Sequence, residues 1–118
     1  MATDCDFCGE NVRTNTGGWI YPCEDFTDAG KSIGFNGAWL ACATCAAFIR
    51  QYDAGETRAK RNLASRAIQK YRMKYGVPQM NDRDLAAILS SEVGSLHDKF
   101  WQHRIEQPRP YTEQYLED

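Results

Sequence analysis

Histidine is nearly missing from this chain of 118 residues: His97 and His103 are the only two. A catalytic zinc centre keeps an open coordination position and draws on histidine or carboxylate ligands with a base nearby, so this scarcity argues against one. A zinc deaminase would show His-x-Glu ahead of Pro-Cys-x-x-Cys, and an HNH-type nuclease would place a histidine in its hairpin. Neither pattern occurs. Six residues separate His97 from His103, which sets them about 120° apart on a helix and makes them a poor metal pair. They read as ordinary packing or surface residues.

Long apolar runs are also lacking, and none approaches the roughly 18 residues that a membrane-spanning helix needs. The N-terminal "MATDCDFC" is acidic and polar where a secretion signal would be basic and then apolar. We therefore expect a cytoplasmic protein with no membrane association. In that compartment thiols stay reduced, so five cysteines read as metal ligands or redox groups before they read as a disulfide framework. The apolar and charged fractions, 42% and 25%, belong to an ordinary folded globule.

Basic charge is scarce at both ends of the sequence. Residues 1–49 carry two basic and six acidic side chains, residues 50–74 eight and two, and residues 75–118 four and eight. The formal net charge of −2 thus conceals a basic middle segment. The whole chain does not suit general polyanion binding, yet a local basic face is available.

Against these absences stand two Cys-x-x-Cys turns, Cys5 with Cys8 and Cys42 with Cys45. A structural zinc site takes four soft ligands in a tetrahedron, and two such turns supply two thiolates each from a compact backbone. The 33 residues between Cys8 and Cys42 exceed the commonest zinc-ribbon spacing, so a hairpin has to fold back and join the pairs. "GGWIYP" around Trp19 to Tyr21 and "IGFNGAWLA" over 33–41 are rich in aromatic and branched residues bounded by glycine, which favours two short strands. Between them "CEDFTDAGKS" reads as loop, with Asp25 and Asp28 as polar surface and Cys23 as a small buried residue. One structural Zn2+ held by Cys5, Cys8, Cys42 and Cys45 is the expectation. A redox pair would normally be a single Cys-x-x-Cys in a βαβ context, and two disulfides would suit a secreted protein.

Helix follows. "TCAAFIRQYDAG" runs from Thr44 to a terminal glycine at 55, and the second cysteine pair at its start gains from the positive end of the helix dipole. A second helix is expected over 56–75, with Leu63, Ala64, Ala67, Ile68, Tyr71 and Tyr75 on one arc. A third is expected over 82–107, halted by Pro108 and Pro110, with Leu85, Ile88, Leu89, Val93, Leu96 and Phe100 on an arc that packs antiparallel on the second. The fold class is α+β: a treble-clef-like zinc lobe with a β-hairpin over 1–55, a pair of long antiparallel helices over 56–107 and an extended tail over 108–118, as one folding unit.

The stretches "CDFCGE", "WIYPCEDF", "GAWLACATCAAFI" and "LHDKFWQHR" together resemble a group of small uncharacterised zinc-finger-like proteins of actinobacteria and their phages. The resemblance spans most of the chain, from Cys5 to Phe100. It implies the four zinc ligands and the one-domain architecture and brings no activity with it. Cys23 stands where that group has alanine, which implies that Cys23 is no essential ligand.

Two functions compete, and an enzyme is a third reading with only the loop acids Asp25 and Asp28 to support it. The first is a non-enzymatic, zinc-stabilised adaptor or regulator that binds another protein, a host protein if the gene is phage-borne. Trp101 and Ile105 fall outside the apolar arc of their helix, and with Tyr111 and Tyr115 they form a candidate partner-binding patch unless they pack on the zinc lobe. The second is a nucleic-acid binder in which Arg58, Arg61 and Arg72 on one flank of helix 56–75, and Arg66, Lys70 and Lys74 on the other, straddle a phosphate backbone. Neither reading requires a small-molecule substrate.

Overall fold

The computed structural model describes residues 2–28, 31–33, 37–75, 83, 87 and 93–113. The expected strand pair is there: β3 (Trp19–Pro22) and β6 (Ala38–Ala41) run antiparallel with Trp19 opposite Ala41 and Tyr21 opposite Trp39. Ile20, Tyr21, Trp39 and Leu40 are all buried, and since consecutive strand residues point to opposite faces, both faces of this pair are covered. Aromatic and branched residues favour this pleated surface because their bulk packs against cross-strand neighbours.

Other strands are shorter than the sequence pattern could signal. The first cysteine turn is framed by β1 (Ala2–Asp4) and β2 (Asn11–Arg13), paired from Ala2 opposite Arg13 to Asp4 opposite Asn11. The stretch read as loop contains a second hairpin, β4 (Phe26–Asp28) with β5 (Lys31–Ile33). Strands of three residues carry too little alternation for the period of two to stand out.

The α+β class holds, with helices following the strands. Helix α1 (Ala43–Asp53) is capped by Cys42 and buries Cys45, Ala46 and Ile49 on one face. Its end at Gly55, with φ of 105°, uses the left-handed conformation that glycine adopts without a side-chain clash. Helix α2 (Arg58–Tyr75) buries Ala59, Leu63, Ala64 and Ile68, one apolar stripe, and packs chiefly on α1. Tyr71 and Tyr75 of the predicted arc have side chains outside the described set.

Helix α3 (Gly94–His103) is the described part of the third predicted helix; Leu85, Ile88 and Leu89 lie outside the described residues. It ends four residues before the predicted boundary. At Arg104 the backbone turns extended and bridges Cys23, while the Ile105 amide donates to the Pro22 carbonyl at 3.2 Å. Pairing with the end of β3 satisfies backbone groups that one more helical turn would have satisfied internally, so the prolines at 108 and 110 do not set the boundary. The arc is also used differently from the expectation. Phe100 is completely buried against the sheet and first turn, its ring centroid 5.0 Å from that of Phe7, 5.2 Å from that of Trp39 and 5.8 Å from that of Tyr21.

The segment expected as an extended tail supplies a strand. Arg109–Pro110 forms β7, which pairs with β3 to give a three-stranded sheet in the order β6-β3-β7. The Tyr111 amide donates to the Gly18 carbonyl and the Asn15 amide to the Tyr111 carbonyl, each at 2.9 Å. Gly18 is required here by close approach: a Cβ would stand 2.8 Å from Val12 Cγ1 and 3.3 Å from the Ala41 carbonyl oxygen.

Among the described residues no helix is long and apolar enough to cross a membrane.

Candidate metal centre

The first ligand turn closes on itself. The Cys5 amide donates to the Glu10 carbonyl at 2.8 Å and the Gly9 amide to the Cys5 carbonyl at 2.9 Å, with Gly9 at φ of 79°. This curl leaves amide hydrogens pointing at sulfur: Phe7 N–H donates to Cys5 Sγ at 3.4 Å. Asp6 fastens the turn to β6 from both directions. Its amide donates to the Leu40 carbonyl at 2.8 Å, and its carboxylate accepts from the Leu40 amide at 2.7 Å. Burial raises the Asp6 pKa, against the lowering effect of that hydrogen bond.

The second turn comes from the strand-to-helix junction. Cys42 is the N-cap of α1, and its sulfur accepts from the Cys45 amide at 3.5 Å, taking the place usually held by a serine or aspartate oxygen. The Cys42 amide in turn donates to Cys5 Sγ at 3.3 Å, which links the two turns. The helix dipole adds positive potential at this end.

Cys5, Cys8, Cys42 and Cys45 are all buried, and their sulfur atoms lie within 4.8 Å of one another. A tetrahedron with metal–sulfur arms of about 2.3 Å has edges of about 3.8 Å. The Cys8–Cys42 sulfur separation is 3.8 Å and none of the others exceeds 4.8 Å, so closing on an ion shortens an arm by at most about 0.6 Å. All five cysteines are free thiols. The cluster can therefore hold one metal ion, and it is the one such group found among the described residues.

Without a metal, the four thiols titrate as a set. Hydrogen bonds from Cys45, Cys5 and Cys8 pull Cys42 well below the ordinary thiol range, and donation to Cys42 pushes Cys5 and Cys45 up. A metal ion would have to displace the remaining thiol protons, so its binding is tied to pH. Cys23 is separate. It is buried beneath α3 with Sγ 3.7 Å from the Phe100 carbonyl oxygen, and desolvation raises its pKa to about 11. As expected, it is a buried residue, and it lies outside the four-cysteine group.

Arg66 was expected on a phosphate-binding flank, yet it turns inward. Its Nη2 reaches Glu10 Oε2 and lies 3.8 Å from Cys42 Sγ. A helical wheel groups residues by azimuth and cannot say that this azimuth faces the cysteines; the only sequence signal was an arginine next to the buried stripe. Of the other cations in that set, Arg58 and Arg61 are exposed, Lys70 is half-buried, and the side chains of Arg72 and Lys74 lie outside the described residues.

The four residues expected to form a partner patch do not share one environment. Trp101 is half-buried against Tyr52, with ring centroids 4.8 Å apart, and its Nε1 donates to Asp53 at 2.9 Å. Tyr111 is 4% exposed and belongs to the core, because β7 carries it under the sheet. Ile105 is 52% exposed, and Tyr115 lies outside the described residues. Both histidines are packed: His97 is 2% exposed with its ring edge-on to Phe7, and His103 stacks on Phe26 at 5.1 Å.

Comparison with protein-family models, curated proteins and solved structures gives no match to this chain.

Proposed function

We propose that this chain is a non-enzymatic binding module whose N-terminal half is a treble-clef-like zinc finger, with one structural Zn2+ on Cys5, Cys8, Cys42 and Cys45. The observation that carries this reading is the buried set of four sulfurs within 4.8 Å. Four soft ligands this close together favour zinc, and a site with all positions taken by cysteine leaves no room for a reacting water. The order of turn, antiparallel strand pair and helix opening on the second cysteine pair supports the treble-clef description. The environments of the histidines support a non-enzymatic role, since neither stands free beside the sulfurs.

Elemental analysis of the purified chain tests the metal. One zinc per folded chain is expected, Cys42→Ser loses both zinc and the folded state, and Cys23→Ala keeps both. Folded protein that holds no metal overturns the reading. For binding to another protein, the exposed Ile105 is the residue to change. Ile105→Asp should abolish capture of a partner while leaving the melting temperature within about 2 °C, the shift of a surface substitution.

A nucleic-acid role retains Arg58 and Arg61, both exposed on α2. It is weakened by the engagement of Arg66 with Glu10 and Cys42 and by the ion pair of Lys60 with Asp98. Binding of a DNA or RNA oligonucleotide that steepens as salt is lowered, and that vanishes in Arg58→Glu/Arg61→Glu, would favour it over the protein-partner reading.

A further inference from the structure

A metal ion bound by four thiolates is a dianionic complex, because four negative charges surround a 2+ ion. Burying such a complex is costly unless positive charge or hydrogen-bond donors face it. Three backbone amides already do: Phe7 and Cys42 on the Cys5 sulfur, and Cys45 on the Cys42 sulfur. One full positive charge also does. Arg66 comes from the middle of α2, 24 positions beyond Cys42, and its Nη2 is 3.8 Å from that sulfur.

The guanidinium is held there on several sides. Its Nη2 pairs with Glu10, whose backbone carbonyl closes the first cysteine turn by accepting from Cys5. The arginine side chain is 21% exposed and Glu10 44%, so the cation is the inner member of the pair. Its Nε is buried with no hydrogen-bond partner among the described residues, a cost that a surface arginine would avoid by swinging into solvent. Leu63 and Ala64 are buried just before Arg66, so the position of the guanidinium is fixed by how α2 seats on α1. Arg66 also lines a cleft of about 300 Å³ together with Thr44, Phe48, Asn62, Ser65 and Gln69, so it stands where solvent meets the cysteine lobe.

We propose that Arg66, oriented by Glu10, is a positioning residue of the metal centre: its guanidinium offsets the charge of the thiolate complex at Cys42 and couples metal retention to the docking of α2. This rests on the metal reading above. Partners of this kind, one step out from the ligands, typically change metal affinity by about 10-fold to 100-fold when they are lost. Lysine retains the charge but carries it as a compact, strongly hydrated ammonium on a flexible stem, where the guanidinium is planar and more weakly hydrated.

The test loads the full chain with zinc and, separately, with Co2+ as a spectroscopic reporter, and follows transfer of metal to an excess of chelator. Arg66→Met, which preserves bulk, should lose metal about 10-fold faster or more, with Arg66→Lys between it and the parent. In the cobalt form, removing a cation beside a thiolate raises the sulfur donor orbitals, so the sulfur-to-metal charge-transfer band should move to lower energy in Arg66→Met and partly return in Arg66→Lys. A purely structural role would leave the band in place. Transfer within about 2-fold of the parent, an unmoved band, or a lysine variant no better than methionine overturns the proposal. Should Arg66→Met fail to fold, Arg66→Lys carries the test, and parental rate and band in that variant overturn it. Failure of the parent chain to take up either metal sinks the zinc reading itself, a result distinct from all of these.

Discussion

Phe100→Ala is the sharpest probe of how α3 is attached to the four-cysteine lobe. The ring is fully buried and is surrounded by the rings of Phe7, Trp39, Tyr21 and Trp101, with centroids between 5.0 and 5.8 Å away. Truncating a buried phenylalanine costs about 3–5 kcal/mol through lost transfer free energy and the cavity left behind. Four edge-on or tilted aromatic partners place this site in the upper half of that range, at about 4 kcal/mol. An unfolding entropy of about 2.1 cal/mol/K per residue amounts to about 0.25 kcal/mol/K for a chain of this length, so the melting temperature should fall by about 16 °C. Against a total stability of about 5–15 kcal/mol, the variant is left marginal. Urea melts at saturating zinc measure the difference. Phe100→Leu, which retains most of the volume, should lose no more than about 1.5 kcal/mol, and Met73→Ala, at a side chain 77% exposed, about 0.5 kcal/mol or less. A Phe100→Ala variant that loses under about 1 kcal/mol would refute the packing, because no collapse of a site with four rings around it hides so large a void.

Tyr21→Phe should leave stability unchanged or raise it by up to about 1 kcal/mol in the same melts, since the buried hydroxyl has no hydrogen-bond partner among the described residues. His97 is held neutral, its pKa lowered to about 4 by burial first and by Lys60 second. Because the folded value lies below the unfolded one, its contribution of about 3 kcal/mol is complete above about pH 6.5 and is lost as pH falls through 4. An NMR titration of the folded chain should find its imidazole uncharged at pH 5.5, and a midpoint near 6.5 would contradict that burial. Asp53→Asn should cost about 1–2 kcal/mol, because its carboxylate accepts from Trp101 Nε1 and from Arg104 at 2.8 Å and so ties the end of α1 to the end of α3. A melting temperature within 1 °C of the parent would show those bonds to be replaceable by water.

The parts legible in the sequence were those whose chemistry repeats or whose residues are large. Two Cys-x-x-Cys turns can hardly serve any other purpose in company, and the structure brings all four sulfurs together. Trp19 to Tyr21 announced one strand and the stretch over 33–41 its partner, although the strand that pairs there is Ala38–Ala41 and Ile33 belongs to the other hairpin. The stop of α1 at Gly55 and the stripe of Leu63, Ala64 and Ile68 on α2 were equally plain. What escaped notice depends on neighbours distant in sequence. The sequence places Arg66 on an azimuth but not opposite Glu10, and nothing near Arg109 or Tyr111 signals that β3 waits for them as a partner. The early end of α3 has the same origin, since Arg104 exchanges helical bonding for a bridge to Cys23, 81 positions away.

That late strand bears on the order in which the chain can fold. Everything needed to assemble the four sulfurs lies in the first 45 residues, whereas the outer edge of β3 stays unpaired until residues 104–110 arrive. During synthesis, at about 5–20 residues per second, the cysteine lobe is thus complete for several seconds while one side of Trp19 and Ile20 remains open to other strands. An open edge of this kind is a template for pairing between chains. Closure of the two cysteine turns on each other would hold the lobe together in that interval, and the arrival of β7 is what closes the edge to intruders.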